Sequence, residues 1–167
     1  ESVRTGMQES NTSLNAGTPH FLDFKYVLNQ SDAGKKAQTY LKKKLNDGIK
    51  NLQSREKAIQ EEEKKIIQQK KVISAEEYKK KVTSLRNKVA TLQKERNNLL
   101  DNIAKQRSKA RTELLKNLNP IIKEYMAEKK IRMVVDKKSL LLADQNLNIT
   151  DEIVKRLNKK LKSIKLN

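Results

Sequence analysis

The chain has no cysteine and no tryptophan, and only two prolines, four glycines and one histidine in 167 residues. Without thiols it can form neither disulfides nor thiolate metal sites, and its redox compartment stays open. His20 has no Cys or acidic neighbour at ligand spacing, so it reads as structural rather than as a metal ligand. There is no Gly-rich phosphate loop, and no carboxylate cluster outside the solvated run Glu61-Glu62-Glu63. These absences point away from an enzyme and imply no cofactor and no metal. Apolar runs are short, none near the ~20 residues that span a bilayer. No signal peptide is visible, and the polar start implies that any export signal has already been removed. Hydrophobic content of 35% and aromatic content of 4% predict one small core under a large solvated surface.

Basic charge is what the chain has in excess. The formal net charge is +18, and it is not confined to a tail. Residues 33–73 hold 12 Lys/Arg against 5 Asp/Glu, and residues 74–130 hold 15 against 7. Residues 131–167 hold 9 against 4, whereas the first 32 residues are slightly acidic, with 2 against 4. An acidic or anionic partner follows from this balance. Nucleic acid, anionic lipid and acidic polypeptide all satisfy it.

From Ala33 to Leu118 there is no proline and, past Gly34 at its start, a single glycine, Gly48, in a stretch rich in Lys, Glu, Gln and Leu. That composition predicts helix throughout. The second half carries a seven-residue pattern at Tyr78, Val82, Leu85, Val89, Leu92, Leu99 and Ile103, with steps of four and three that mark a coiled-coil seam. The first half is sparser: Leu45, Ile49 and Leu52, then one apolar residue per heptad at Ile59, Ile66 and Ile73. Between the halves, Ser74 can cap a new helix while Glu77 reaches back. The reading is an antiparallel helical hairpin over residues 33–118, with its tip near 72–75.

The flanks read as a small α/β body over residues 20–32 and 119–167, behind a disordered polar tail at 1–19. A strand is expected at His20–Phe24, and a helix start at Ser31 or Asp32. Asn119-Pro120 is expected to kink the second long helix without stopping it, because Ile121, Ile122, Tyr125 and Met126 keep an apolar face as far as Lys129. Ile131–Val135 and Leu140–Ala143 are expected to pair as a β-hairpin. Thr150 is the expected cap of a last helix whose buried stripe is Ile153, Val154, Leu157, Leu161 and Ile164. The fold class is α+β, mostly α: a small β-containing body with a long coiled-coil hairpin inserted into it.

The order of parts resembles the Skp (OmpH-like) family of periplasmic chaperones of Gram-negative bacteria. It is carried by the strand Phe21-Leu22-Asp23-Phe24, the Ala33-Gly34-Lys35 helix start and the Ser74-Ala75-Glu76-Glu77-Tyr78 turn. On the return it is carried by Asn119-Pro120-Ile121, Met133-Val134-Val135-Asp136 and Ile149-Thr150-Asp151-Glu152-Ile153-Val154. Asn148 stands where the family usually has Asp. The resemblance spans about Phe21 to Leu161.

It implies a homotrimer whose bodies assemble through strands, with Phe21, Phe24, Met133 and Val134 in the oligomerisation core together with Val135, Leu141, Ile149 and Ile153. It also implies an ATP-independent periplasmic holdase that captures unfolded outer-membrane β-barrel proteins between basic arms. Lys79, Lys80, Lys81, Arg86 and Lys88, with Arg96, Arg107 and Arg111, become candidates for contact with client or lipopolysaccharide. Taken singly, each reads first as the solvated face of a coiled coil. Ile67 and Val72, apolar but off the seam, are further candidates for client contact. An anionic membrane surface is a possible partner. The alternatives are a basic coiled-coil nucleic-acid-binding protein and a purely structural one. Against the first, the hairpin has few aromatics for base stacking and no reading motif, so no specific nucleic acid is expected.

Overall fold

Where the chain first turns apolar it forms strand β1 (His20–Leu22), and Asp23 ends it. The Asp23 carboxylate accepts a hydrogen bond from the Tyr26 amide at 3.1 Å, which opens helix α1 (Phe24–Gln30), so the strand stops two residues short of its expected end at Phe24. The computed structural model describes residues 17–167, so residues 1–16 of the polar tail lie outside the described residues. Helix α2 (Asp32–Gln69) and helix α3 (Ala75–Lys129) follow, then strand β2 (Val134–Asp136) and helix α4 (Thr150–Lys160). The protein is mostly helical, with a long helical hairpin and a two-stranded sheet. Two compact units result: residues 17–39 with 108–167, and Tyr40–Arg107.

In the first unit β1 and β2 pair in parallel, with Phe21 opposite Val135. A parallel pair needs a long crossover, and here the entire hairpin supplies it. The expected β-hairpin between Ile131–Val135 and Leu140–Ala143 does not form. Asp136 accepts from the Lys138 amide and the Leu140 amide donates to the Lys137 carbonyl, which winds Lys137–Ser139 into a 3₁₀ turn. The chain therefore leaves the sheet, and Leu141 and Leu142 are fully exposed.

Ser31 caps α2, its buried hydroxyl accepting from the Gly34 amide at 3.2 Å. A Cβ on Gly34 would lie 1.8 Å from the Leu28 carbonyl oxygen, so only glycine lets α1 and α2 meet this closely. The core centres on Val27, Leu118, Ile153 and Leu157, all completely buried. Pro120 is exposed between buried Leu118 and Ile121, and α3 continues through it. Packing on the buried face outweighs the lost hydrogen bond. The helix ends at Lys129, and Lys130 just past it lies in the left-handed region at φ 57°, with the Ile131 amide donating to the Met126 carbonyl at 2.8 Å.

The start of α4 differs from expectation as well. Ile149, not Thr150, occupies the cap position and makes no side-chain bond. Asn148 Oδ1 accepts from both the amide and the hydroxyl of Thr150, while the same hydroxyl accepts from the Asp23 amide at 2.9 Å. Thr150 thus ties α4 to the β1–α1 turn, and Asn148 does the local capping.

In the second unit the two long helices run antiparallel. Ser74 Oγ accepts from the Glu77 amide at 3.1 Å, opening α3 after the turn. The sparse half of the seam has a physical explanation: Gly48, Arg55 and Glu62 occupy the heptad positions between Leu45, Leu52, Ile59 and Ile66. Leu99 fills the space left by Gly48, where an added Cβ would lie 2.6 Å from its Cδ2. Arg55 hydrogen-bonds Glu95, and Glu62 takes Lys88 at 2.8 Å. Charge pairs stand where a coiled coil would place apolar knobs, and they share one antiparallel register.

Candidate functional site

The hairpin unit, Tyr40–Arg107, holds 19 Lys/Arg against 9 Asp/Glu. Its candidate cations fall into three groups. Lys88 and Arg96 are ties across the helices, to Glu62 and to Glu56 at 3.3 Å. Lys80 faces Glu76 at 3.9 Å one turn away, and Lys81 Nζ donates to Gln69 Oε1 at 2.7 Å. Lys79, Arg86 and Arg107 are exposed and have no acidic partner among the described residues. Arg111 belongs to the body unit, its guanidinium 5.7 Å from the centre of the Phe24 ring.

The hydrogen bond from Arg55 holds the Glu95 carboxyl below the usual carboxylate range and raises the guanidinium. Both groups are open to water, so the pair sets register more than it adds stability.

The two flanks of the hairpin seam differ in character. On one, a groove of about 460 Å³ is lined by Arg55, Glu62, Ser84, Asn87, Lys88 and Thr91, with Ala58 and Ile59 as its apolar part. The ties Arg55–Glu95, Glu62–Lys88 and Gln69–Lys81 belong to this flank. On the other, a groove of about 430 Å³ has a floor of Ile59, Ile66, Val82 and Leu85 and is lined further by Tyr78, Ile67 and Val89. Its polar groups are Glu63 and Arg86, and the Lys70 ammonium sits 5.4 Å from the centre of the Tyr78 ring.

Ile67 is 59% exposed and Val89 51%, so each helix leaves one large apolar side chain open on the same flank. Ile67 was singled out in the sequence. Val89 was read as seam, and the groove around it was missed. On α2 the same groove is lined by Glu63, and which α2 residues meet Val89 depends on the register of the two helices rather than on either heptad pattern alone. Val72, 84% exposed, lies in the turn between the helices and does not line the groove.

In the body unit, Phe21, Ile149 and Ile153 are buried within this chain, and Phe24, Val134 and Val135 are half-buried. Met133 is half-exposed and Leu141 fully exposed. Leu22, Phe24, Ile122, Met126, Met133 and Val134 line a groove of about 430 Å³ beside the sheet, with Arg132, Val135 and Asp136. His20 Nδ1 lies 2.9 Å from the Thr18 carbonyl oxygen. Among the described residues no three His, Cys, Asp or Glu side chains cluster to hold a metal ion, and no helix is long and apolar enough to cross a membrane.

Comparison with known proteins adds the following. The sequence model of the family described as outer membrane protein (OmpH-like) matches residues 20–157. The fold matches the crystal structure of a Caulobacter crescentus protein titled an OmpH-like outer membrane chaperone, with a TM-score of 0.84. The two chains are 19% identical, and the match covers 90% of this chain and 89% of that one. No curated protein matches the sequence.

Proposed function

This chain belongs to the OmpH-like family, and from that membership we propose that it is a chaperone of outer-membrane proteins acting as an ATP-independent, non-enzymatic holdase in the periplasm. The observation that carries the reading is the hairpin unit, which combines excess positive charge with apolar side chains that its own seam leaves uncovered. An unfolded β-barrel client alternates apolar and polar residues and aggregates when its strand edges meet. Acidic clients are drawn in over about one Debye length, ~8 Å at physiological salt. Many weak contacts along a flexible surface then hold varied sequences without a fixed pocket.

The reading includes a homotrimer, with client enclosed between three hairpins. Leu141 and Leu142, exposed side by side, and the apolar groove beside β2 supply surface that a second copy would cover. Lys79 and Arg107 are the groups we assign to anionic headgroups of lipopolysaccharide or membrane, and exposed Val72 at the turn is assigned to client contact.

The test is dilution of a urea-unfolded outer-membrane β-barrel protein into buffer at physiological salt, followed by light scattering and sedimentation. A trimer that suppresses scattering as a one-to-one complex is the expected result. No suppression, together with tight duplex DNA binding at the same salt, would replace this function with the nucleic-acid one.

A further inference from the structure

The flanks of the hairpin are not equivalent, and the difference selects the surface that does the holding. We propose that the apolar groove bounded by Ile67 and Val89 is a docking site for an extended acidic–apolar segment, which sets alternate apolar side chains on its floor and a carboxylate on Arg86. This inference rests on the holdase reading and says which face performs it.

Three observations favour this flank. The opposite groove is lined by Arg55, Glu62 and Lys88, which are engaged in the ties Arg55–Glu95 and Glu62–Lys88, so a ligand there competes with charge pairs. Within the apolar groove there is no such tie, the Glu56–Arg96 pair lying one heptad beyond it on the same flank, and Arg86 is exposed and free of an acidic partner among the described residues. Its dimensions also suit a strand. Ile59 to Ile67 spans about 12 Å of helix at ~1.5 Å per residue. A strand advances ~3.3 Å per residue, so about four residues fit, and their side chains alternate between the floor and solvent. The outward positions lie within reach of Arg86 and of Lys70 at the Tyr78 end. Glu63, on the same rim, opposes an acidic ligand and limits its affinity. The occupant is therefore a strand-forming segment with apolar residues at alternate positions and acids between them.

The experiment uses the full chain carrying a benzophenone photocrosslinker at Ile67 or, on the other flank, at Ser84, mixed with an unfolded outer-membrane protein. Crosslinks to client from position 67 and few from position 84, with scattering suppressed, are expected. Equal or stronger crosslinking from Ser84 with suppression intact overturns the docking site and leaves the holdase function standing. Loss of suppression in the unsubstituted chain overturns both. Chain-to-chain crosslinks from position 67 without client would assign the groove to a second copy and overturn the proposal.

A labelled peptide of alternating Leu and Glu supplies an independent reading by fluorescence anisotropy. Arg86→Glu should weaken its binding roughly tenfold, and Glu63→Gln should tighten it a few-fold. Both residues are exposed, so circular dichroism should be unchanged. If a Leu–Lys peptide binds as well as the Leu–Glu one, charge does not choose the occupant and the proposal falls.

Discussion

The body unit and the hairpin unit are built from much the same residue types and held by different physics. In the body, Val27, Leu118, Ile153 and Leu157 have no exposed surface, and its main ion pairs lie outside that core. Arg156, for example, takes Glu128 at 2.8 Å and Glu152 at 3.2 Å while stacking on Tyr125. In the hairpin, Arg55 and Glu62 stand at seam positions, and only one apolar residue per heptad is left on α2 from Leu52 to Ile66. The body resists change because burial is complete. The hairpin keeps its register with charge pairs and keeps apolar surface to spare. A binding surface that must open and close on varied ligands is drawn from the less stable end of a molecule.

Substitution of one buried residue in each unit tests this contrast most strongly. Leu118→Ala empties a fully buried site and should lower stability by about 3–5 kcal/mol. Leu85→Ala, at a half-buried seam position, should cost about 1 kcal/mol. Urea unfolding followed by circular dichroism, at one fixed protein concentration, measures both. Equal losses would show that the seam is packed as tightly as the core.

The glycines divide in the same way. At Gly34 a methyl group meets the Leu28 carbonyl oxygen, which is backbone and cannot yield, so Gly34→Ala should cost about 2–3 kcal/mol. At Gly48 the methyl group meets the end of the Leu99 side chain, which can turn aside. Replacing glycine inside a helix also gains about 1 kcal/mol. Gly48→Ala should therefore leave stability nearly unchanged or raise it. Thermal melts of the two variants decide the matter, and a loss at Gly48 equal to that at Gly34 would mean the seam has no slack.

Acid should act on the hairpin before the body. Glu95 has a folded pKa below its unfolded value of about 4.3, because Arg55 hydrogen-bonds its charged form. Its contribution is complete above that unfolded value and is lost as pH falls through the lower folded one. The body has a similar carboxylate in Glu128, held down by Arg156, but beneath it lies an apolar core that does not titrate. Hydrogen exchange at descending pH should show protection falling first in Tyr40–Arg107. High salt at neutral pH should reproduce part of the effect by screening the same pairs.

Much of this architecture was legible in the residues, for identifiable reasons. The seam from Tyr78 to Ile103 shows because periodicity is local, and the Ser31 and Ser74 caps show because capping needs only three residues of context. The strand pairing was half legible. Val134 and Val135 announce a strand, but Leu140-Leu141-Leu142 looks like another, and only the Asp136 turn shows that it leaves the sheet. Thr150 looked like a cap because nothing local reveals that its hydroxyl is engaged by the Asp23 amide, 127 residues away. The candidate cations were all visible. Which of them are bound up in cross-helix ties depends on the register of two helices, and no single helix contains that information. For the same reason the groove beside Val89 stayed hidden while Ile67 stood out.

The smallest expected effect concerns the end of α3. Lys130 adopts φ 57° at the position where helices most often place glycine, and the Ile131 amide closes the turn onto Met126. An L-residue pays roughly 1 kcal/mol in that region, and part of the gain from glycine is offset by its freer unfolded chain. Lys130→Gly should thus stabilise the body by about 0.5–1 kcal/mol, whereas Lys130→Ala should leave it unchanged. The gain should appear as slower exchange of body amides, with the amides of Tyr40–Arg107 unaffected. If hairpin protection rose equally, the two units would be one cooperative structure, and the contrast between a closed core and a loosely held hairpin would have to be given up.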